Sequence, residues 1–106
     1  MPRYLTTAAY TPDGAKGVMK EGGSARRAAA EQALKSVGAK MEAFYFALGD
    51  NDAYVIVDAP DNAAMAAASV AINASGAVHS KTIVLMTPEE MDQATKKSVT
   101  YRAPGR

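Results

Sequence analysis

Few side chains in this sequence have a wide chemical range. They are a single histidine, His79, several tyrosines, an arginine pair, Arg26 and Arg27, directly after Gly22-Gly23-Ser24, and a short acidic run around Asp50 and Asp52. His79 opens a β-rich segment with no HxH or HExxH spacing around it, so it can serve as a general base beside a cleft or bind a metal only with help from a symmetry-related copy. Its plainer role is that of a surface or edge-strand histidine. Arg26 and Arg27 sit where a helix restarts after a glycine pair, and positive side chains there oppose the helix dipole. A bound anion or a carboxylate from another segment would compensate them, and a capped helix break with solvated arginines is the bland alternative. Asp50 and Asp52 lie two apart in a polar turn, near Asp58 and Asp61, but the distant Glu of a calcium loop is missing. Turn chemistry is the expected role, with an interchain salt bridge to Arg26 or Arg27 ranked ahead of metal. No metal site and no cofactor is expected.

Tyr4, Tyr10, Tyr45 and Tyr54 fall on predicted strands. A tyrosine supplies apolar area together with a hydroxyl that must be satisfied, which suits it either to packing or to the rim of a pocket. If a cavity encloses a small ligand, the candidate contacts are Tyr10, Tyr45, Asn73 and His79. The six methionines fit adaptable packing and mark no cofactor box.

The elements that must position these residues read as follows. Residues 4–10, rich in Thr, Tyr and Leu, form a first strand. Thr11-Pro12 then starts a helix, with Thr as N-cap and Pro at the first helical position. Gly22-Gly23 interrupts it, Ser24 is expected to cap a new start, and Ala30, Ala33, Leu34 and Val37 share one stripe, with Arg27, Glu31 and Lys35 spaced for pairing opposite. Residues 41–48 and 53–57 flank Gly49-Asp50-Asn51-Asp52 as a hairpin with a four-residue loop. An Ala-rich helix follows to residue 74, then a strand over 78–86. Thr87-Pro88-Glu89-Glu90 makes a capping box before a short helix. Residues 96–106 read as an extended tail beyond a domain of residues 1–95.

The order β-α-β-β-α-β predicts an α+β, ferredoxin-like fold: a four-stranded antiparallel sheet with both long helices on one face, plus the short C-terminal helix and tail. Two segments stand out against that plan. Tyr54-Val55-Ile56-Val57 and Ile83-Val84-Leu85-Met86 are apolar at successive positions, although strand side chains alternate between faces. Both faces of the sheet therefore want cover while the helices suffice for one, and a homodimer stacked on the bare face is the simplest solution.

Whole-chain properties narrow the classes further. The 106 residues, 48% hydrophobic and 22% charged, are ordinary for one globular domain with its own core. A net charge of +1 with no basic stripe argues against nucleic acid as a partner. No run approaches membrane-spanning length and no signal-type start is present, so no membrane partner and a cytoplasmic location are expected. The absence of cysteine excludes disulfides and thiolate chemistry.

One family shares these segments. Residues 10–17 (Tyr10-Thr11-Pro12-Asp13-Gly14-Ala15-Lys16-Gly17) and 20–27, then Phe44-Tyr45-Phe46-Ala47-Leu48-Gly49-Asp50-Asn51-Asp52, Val55-Ile56-Val57-Asp58 and Thr87-Pro88-Glu89-Glu90, resemble GYD-domain proteins over nearly the whole chain. The resemblance implies a small bacterial or archaeal protein of the dimeric α/β-barrel group with no settled biochemical role. The Gly and Asp of the naming motif match Gly49 and Asp52, but Asn51 stands where Tyr is expected. A turn accepts that exchange, since Asn tolerates the left-handed conformation.

The expected function is a homo-oligomeric binding or interaction module whose partner is itself, with a small molecule in a cavity or at the subunit interface. Two alternatives remain open at this point. One is a cofactor-free enzyme, oxygenase-like or isomerase-like, using His79 or a tyrosine in a pocket, which rests on fold analogy. The other is a structural oligomer with no ligand. A closed pocket containing His79 or a tyrosine hydroxyl discriminates among them.

Overall fold

In a computed structural model that describes residues 1–106, strand β1 (Arg3–Tyr10) runs through the interior of a single sheet. It is flanked by β3 (Ala53–Asp58) and β4 (Val78–Leu85), and β2 (Lys40–Phe46) completes the order β2-β3-β1-β4. Every pairing is antiparallel. Three of the helices are α1 (Pro12–Glu21), α2 (Gly23–Lys35) and α3 (Asn62–Ala74), and a short α4 (Pro88–Thr95) follows the last strand. Contacts of α2 with β2 and of α3 with β4 give the ferredoxin-like α+β arrangement.

The register assigns each residue to a face. Tyr4 pairs with Val57, Thr6 with Val55 and Ala8 with Ala53, and on the other side Tyr4, Thr6, Ala8 and Tyr10 pair with Val84, Thr82, Ser80 and Val78. This set faces the helices: Tyr4, Val55, Val57, Leu34, Met65 and Ala68 form the core with Ala39 and Ala59. Tyr4 is a core residue, its ring buried and its hydroxyl donating to Asn62 Oδ1 at 2.7 Å, so its one polar atom is satisfied. Alternation sends Leu5, Thr7, Ala9, Tyr54, Ile56, His79, Lys81, Ile83 and Leu85 to the opposite, open face.

Capping chemistry sets the helix boundaries. Thr11 Oγ1 accepts from the Gly14 amide, Asp61 Oδ1 from the Ala64 amide at 2.9 Å, and Thr87 and Glu90 exchange both bonds of the capping box. The expected Ser24 cap does not form. The backbone turns at Gly22, with φ of 85°, and α2 restarts at once with Gly22 as its N-cap, which leaves Ser24 inside the first turn. Leu34 is buried on the predicted stripe of α2, while Val37 lies in the turn beyond the helix end at Lys35 and still packs against the core. Arg27, Glu31 and Lys35 lie exposed opposite it and form no ion pair, in keeping with how little such solvated pairs gain.

The hairpin loop is longer than the four residues expected. Phe46 pairs with Ala53 as the last rung, and the loop spans residues 47–52, closed by the Ala47 amide donating to the Asp52 carbonyl at 2.7 Å. No non-glycine residue has positive φ, so Asn51 is not left-handed and its presence in place of Tyr has another basis. Its amide instead donates to the Tyr54 hydroxyl at 3.4 Å.

Helix α1 approaches the sheet end through Gly14, where an added Cβ would collide with the Ala77 carbonyl oxygen. The Thr11 amide bonds to that same oxygen at 3.0 Å, so the contact also fixes the start of the helix. Gly14→Ala is expected to push α1 off the sheet and lower stability by about 1–3 kcal/mol, read by thermal or urea denaturation.

Candidate functional site

Between the helices and the sheet lies a partly enclosed cavity of about 120 Å³. Its floor is Thr6, Ala8 and Tyr10 of β1 with Ala53 and Val55 of β3, Phe44 of β2, and Val78 and Ser80 of β4. Its roof is Ala30, Ala33 and Leu34 of α2 with Met65, Ala68, Ser69 and Ile72 of α3. The space exists because the residues that meet there are small. Alanines on both helices face Thr6 and Ala8 at the middle of β1, where bulkier side chains would fill the gap at normal interior density. Of the 18 lining residues 14 are hydrophobic. The polar remainder includes Thr6, which shares a hydrogen bond with the Thr82 hydroxyl at 2.9 Å, and Ser69, whose hydroxyl reaches the same Thr82 at 3.4 Å.

Tyr10 and Arg26 are the two titratable residues of this wall, and Arg26 is the one that carries charge. A shallower outer cleft beneath α1 is lined by Asp13, Gly17, Glu21 and Ser75, and it shares Tyr10, Arg26, Ile72 and Val78 with the cavity. Those four residues form the boundary between the two. Arg26 NH1 donates to Glu21 Oε1 at 3.2 Å, with the side chains 31% and 44% exposed. A pair so exposed contributes under about 1 kcal/mol, and one bond leaves most of the guanidinium's donors free.

The remaining candidates are dispersed. Asn73 clamps the end of α3 to β4: its Oδ1 accepts from the Ser80 amide at 2.7 Å and from the Ser80 hydroxyl at 3.2 Å, and it does not line the cavity. His79, next to Ser80 on the strand, points to the open face, as does Tyr45, which is 71% exposed opposite Tyr54. Arg27 lies exposed beside Phe44 and Phe46, whose rings meet edge to face with centroids 5.1 Å apart. The glycine pair ahead of the arginines has a backbone role, since Gly22 supplies positive φ and Gly23 lets the Phe46 ring approach within a distance that a Cβ would block. The carboxylate that compensates Arg26 comes from α1, as Glu21, across that glycine break.

The acidic run separates into individual tasks. Asp52 ties the hairpin loop to the end of β1: its amide donates to the Ala8 carbonyl at 2.7 Å and its Oδ2 accepts from the Tyr10 amide at 2.8 Å. Asp61 caps α3, and Asp50 is exposed. Asp58 joins Arg3 on the rim of the open face through bonds of 2.9 and 3.3 Å from Nε and NH2. Hydrogen bonding from the Arg3 guanidinium holds the Asp58 carboxyl below its usual range, and the same bond raises Arg3. No group of three or more His, Cys, Asp or Glu side chains is placed to hold a metal ion. No helix is long and apolar enough to cross a membrane.

The residues that sequence reasoning passed over are Glu21, Ser69, Ser80 and the alanines of α2. Glu21 was detectable as a carboxylate five residues before Arg26 across a glycine break, whereas an alanine gives no sign that the space beside it is unfilled.

The architecture is that of an α+β sheet-and-helix module with an apolar internal cavity, and the GYD domain family model matches residues 4–95. This chain therefore belongs to the GYD-domain family. No curated protein and no solved structure gives a significant match.

Two outcomes check the assigned contacts. Asp52→Ala is expected to cost about 1–3 kcal/mol and to speed hydrogen exchange at the Tyr10 amide, because that amide loses its acceptor. The Arg3 bond stabilises the ionised Asp58, so its contribution is present above the unfolded carboxylate pKa and is lost as pH falls through the lower folded value. Arg3→Met should raise the Asp58 carboxyl titration seen by carbon-detected NMR towards the usual range, and an unmoved titration would contradict the assignment.

Proposed function

We propose that this protein is a homodimeric binding module in which two copies stack their open sheet faces and each keeps a small molecule in its own helix-side cavity. The observation that carries the reading is a sheet covered by helices on one side and apolar at the centre of the other. Leu5, Ile56 and Tyr54 lie on the two central strands and Ile83 continues the patch onto edge strand β4, with Ile83 55% and Tyr54 39% exposed. Polar and charged groups ring it: the Arg3–Asp58 pair, Lys81 and His79. An apolar centre with a polar rim is the composition of a protein interface, and a twofold axis gives both copies the same surface.

The C-terminal segment supports a partner as well. Helix α4 and the residues after it expose Met91, Val99 and Tyr101, and the chain extends 56 Å with a radius of gyration of 16.9 Å. A compact chain of this length has a radius near 13 Å, so the segment projects from the body and would find apolar cover on a second copy.

The cavity includes Tyr10, one of the two groups an enzyme was expected to use, but the rest of its wall has Ser and Thr hydroxyls and one guanidinium with no carboxylate or imidazole to take a proton from a ligand, so binding is favoured over catalysis. His79 lies on the opposite side of the sheet.

Ile56→Asp tests the dimer. Losing an apolar contact of about 2 kcal/mol on each of two symmetric copies raises the dissociation constant roughly a thousandfold. Light scattering coupled to size-exclusion chromatography should then report 11.1 kDa for the variant and twice that mass for the wild type. A wild type of one-chain mass, or an undisturbed dimer in the variant, would remove the stacked-face reading.

A further inference from the structure

We infer that the cavity selects small aliphatic carboxylates, with Arg26 holding the carboxylate at the mouth in exchange for Glu21. This rests on the binding reading above and adds the chemical class of the ligand. Three observations carry it.

The first is size. About 120 Å³ lies just below the roughly 150 Å³ cavity that accommodates benzene, so the body that fits is a short aliphatic group of a few carbons. The second is polarity. The inner wall is apolar except for hydroxyls and a single charged residue, and a guanidinium only donates, so the complementary ligand group is an anionic acceptor. The third is position. Arg26 lines both the inner cavity and the outer cleft, while Asp13 and Glu21 line only the cleft. A ligand lying with its apolar body inward therefore brings its head group to Arg26 before it meets either carboxylate. Glu21 holds Arg26 by one partly exposed bond and can be displaced by an acceptor arriving from the cavity side. Tyr10 lines the same boundary and forms no side-chain hydrogen bond within the chain, which leaves its hydroxyl available as a second donor.

The test uses the full chain with three probes: isovalerate, its neutral isostere isovaleramide, and acetate, which has the charge without the branched body. Methyl NMR of Met65, Ile72 and Leu34 reports occupancy of the cavity and gives the dissociation constants. Isovalerate should bind at least several-fold more tightly than either control. Arg26→Gln should weaken isovalerate roughly tenfold and isovaleramide, whose carbonyl accepts only a neutral-acceptor bond, clearly less. Glu21→Gln, which removes the competing carboxylate, should tighten isovalerate about two- to fivefold with no effect on the amide. Equal binding of acid and amide, or isovalerate affinity that is indifferent to both substitutions, overturns the carboxylate assignment while leaving a binding cavity in place. If no probe moves the cavity methyls, the assignment and the binding reading fall together.

Discussion

The structure depends on a sheet whose central strands place apolar side chains on both faces. On β3 the alternation is complete, with Val55 and Val57 buried against the helices and Tyr54 and Ile56 projecting the other way. Burying the first pair drives α2 and α3 onto the sheet and fixes their side, because a one-residue slip of register would turn Val57 outward and bring Asp58 into the core. The second pair is left partly open, Tyr54 exposed and Ile56 half-buried. Folding of one copy satisfies the first face, and the self-association proposed above would satisfy the second with the same strand pattern.

The helix side is packed unevenly. Towards the Tyr4 end, Tyr4, Val57, Met65 and Leu34 fill the interior and the tyrosine hydroxyl is satisfied by Asn62. Towards the Tyr10 end the strand narrows to Thr6 and Ala8, the helices offer alanine, and the interior opens into the cavity. Several polar contacts hold this looser end in shape without filling it: Asp52 on the Tyr10 amide, Asn73 on Ser80, and Thr11 on the Gly76 carbonyl. These bonds tie the strand ends and loops around the open space, the arrangement that the proposed binding cavity calls for.

Much of this was legible in the residues. Period-two patterning, the Thr11-Pro12 start, the Thr87 to Glu90 capping box and the Ala-rich stretch after Asp61 gave element types, order and topology, because each is a local signal tied to backbone geometry. The faces were not legible: Phe44-Tyr45-Phe46 alternates correctly in isolation, yet only the pairing of Phe44 with Val55 shows that the phenylalanines turn to the helices. The Ser24 cap failed because Gly22 could already make the turn, and the hairpin loop was underestimated because Asp52 bonds to β1, a strand distant in sequence. The site was the least visible part. Tyr10 and Arg26 stand as separate candidates in the sequence, and their meeting on the wall of one cavity depends on tertiary placement of α2 relative to β1 that no local pattern encodes.

The most direct measurement of the central claim is an isotope-filtered NOE experiment on dimers assembled from differently labelled chains. The account predicts intermolecular contacts among the Leu5, Ile56 and Ile83 methyls and the Tyr54 ring. Intermolecular contacts that arise only from the helical side, or none at all, would contradict it.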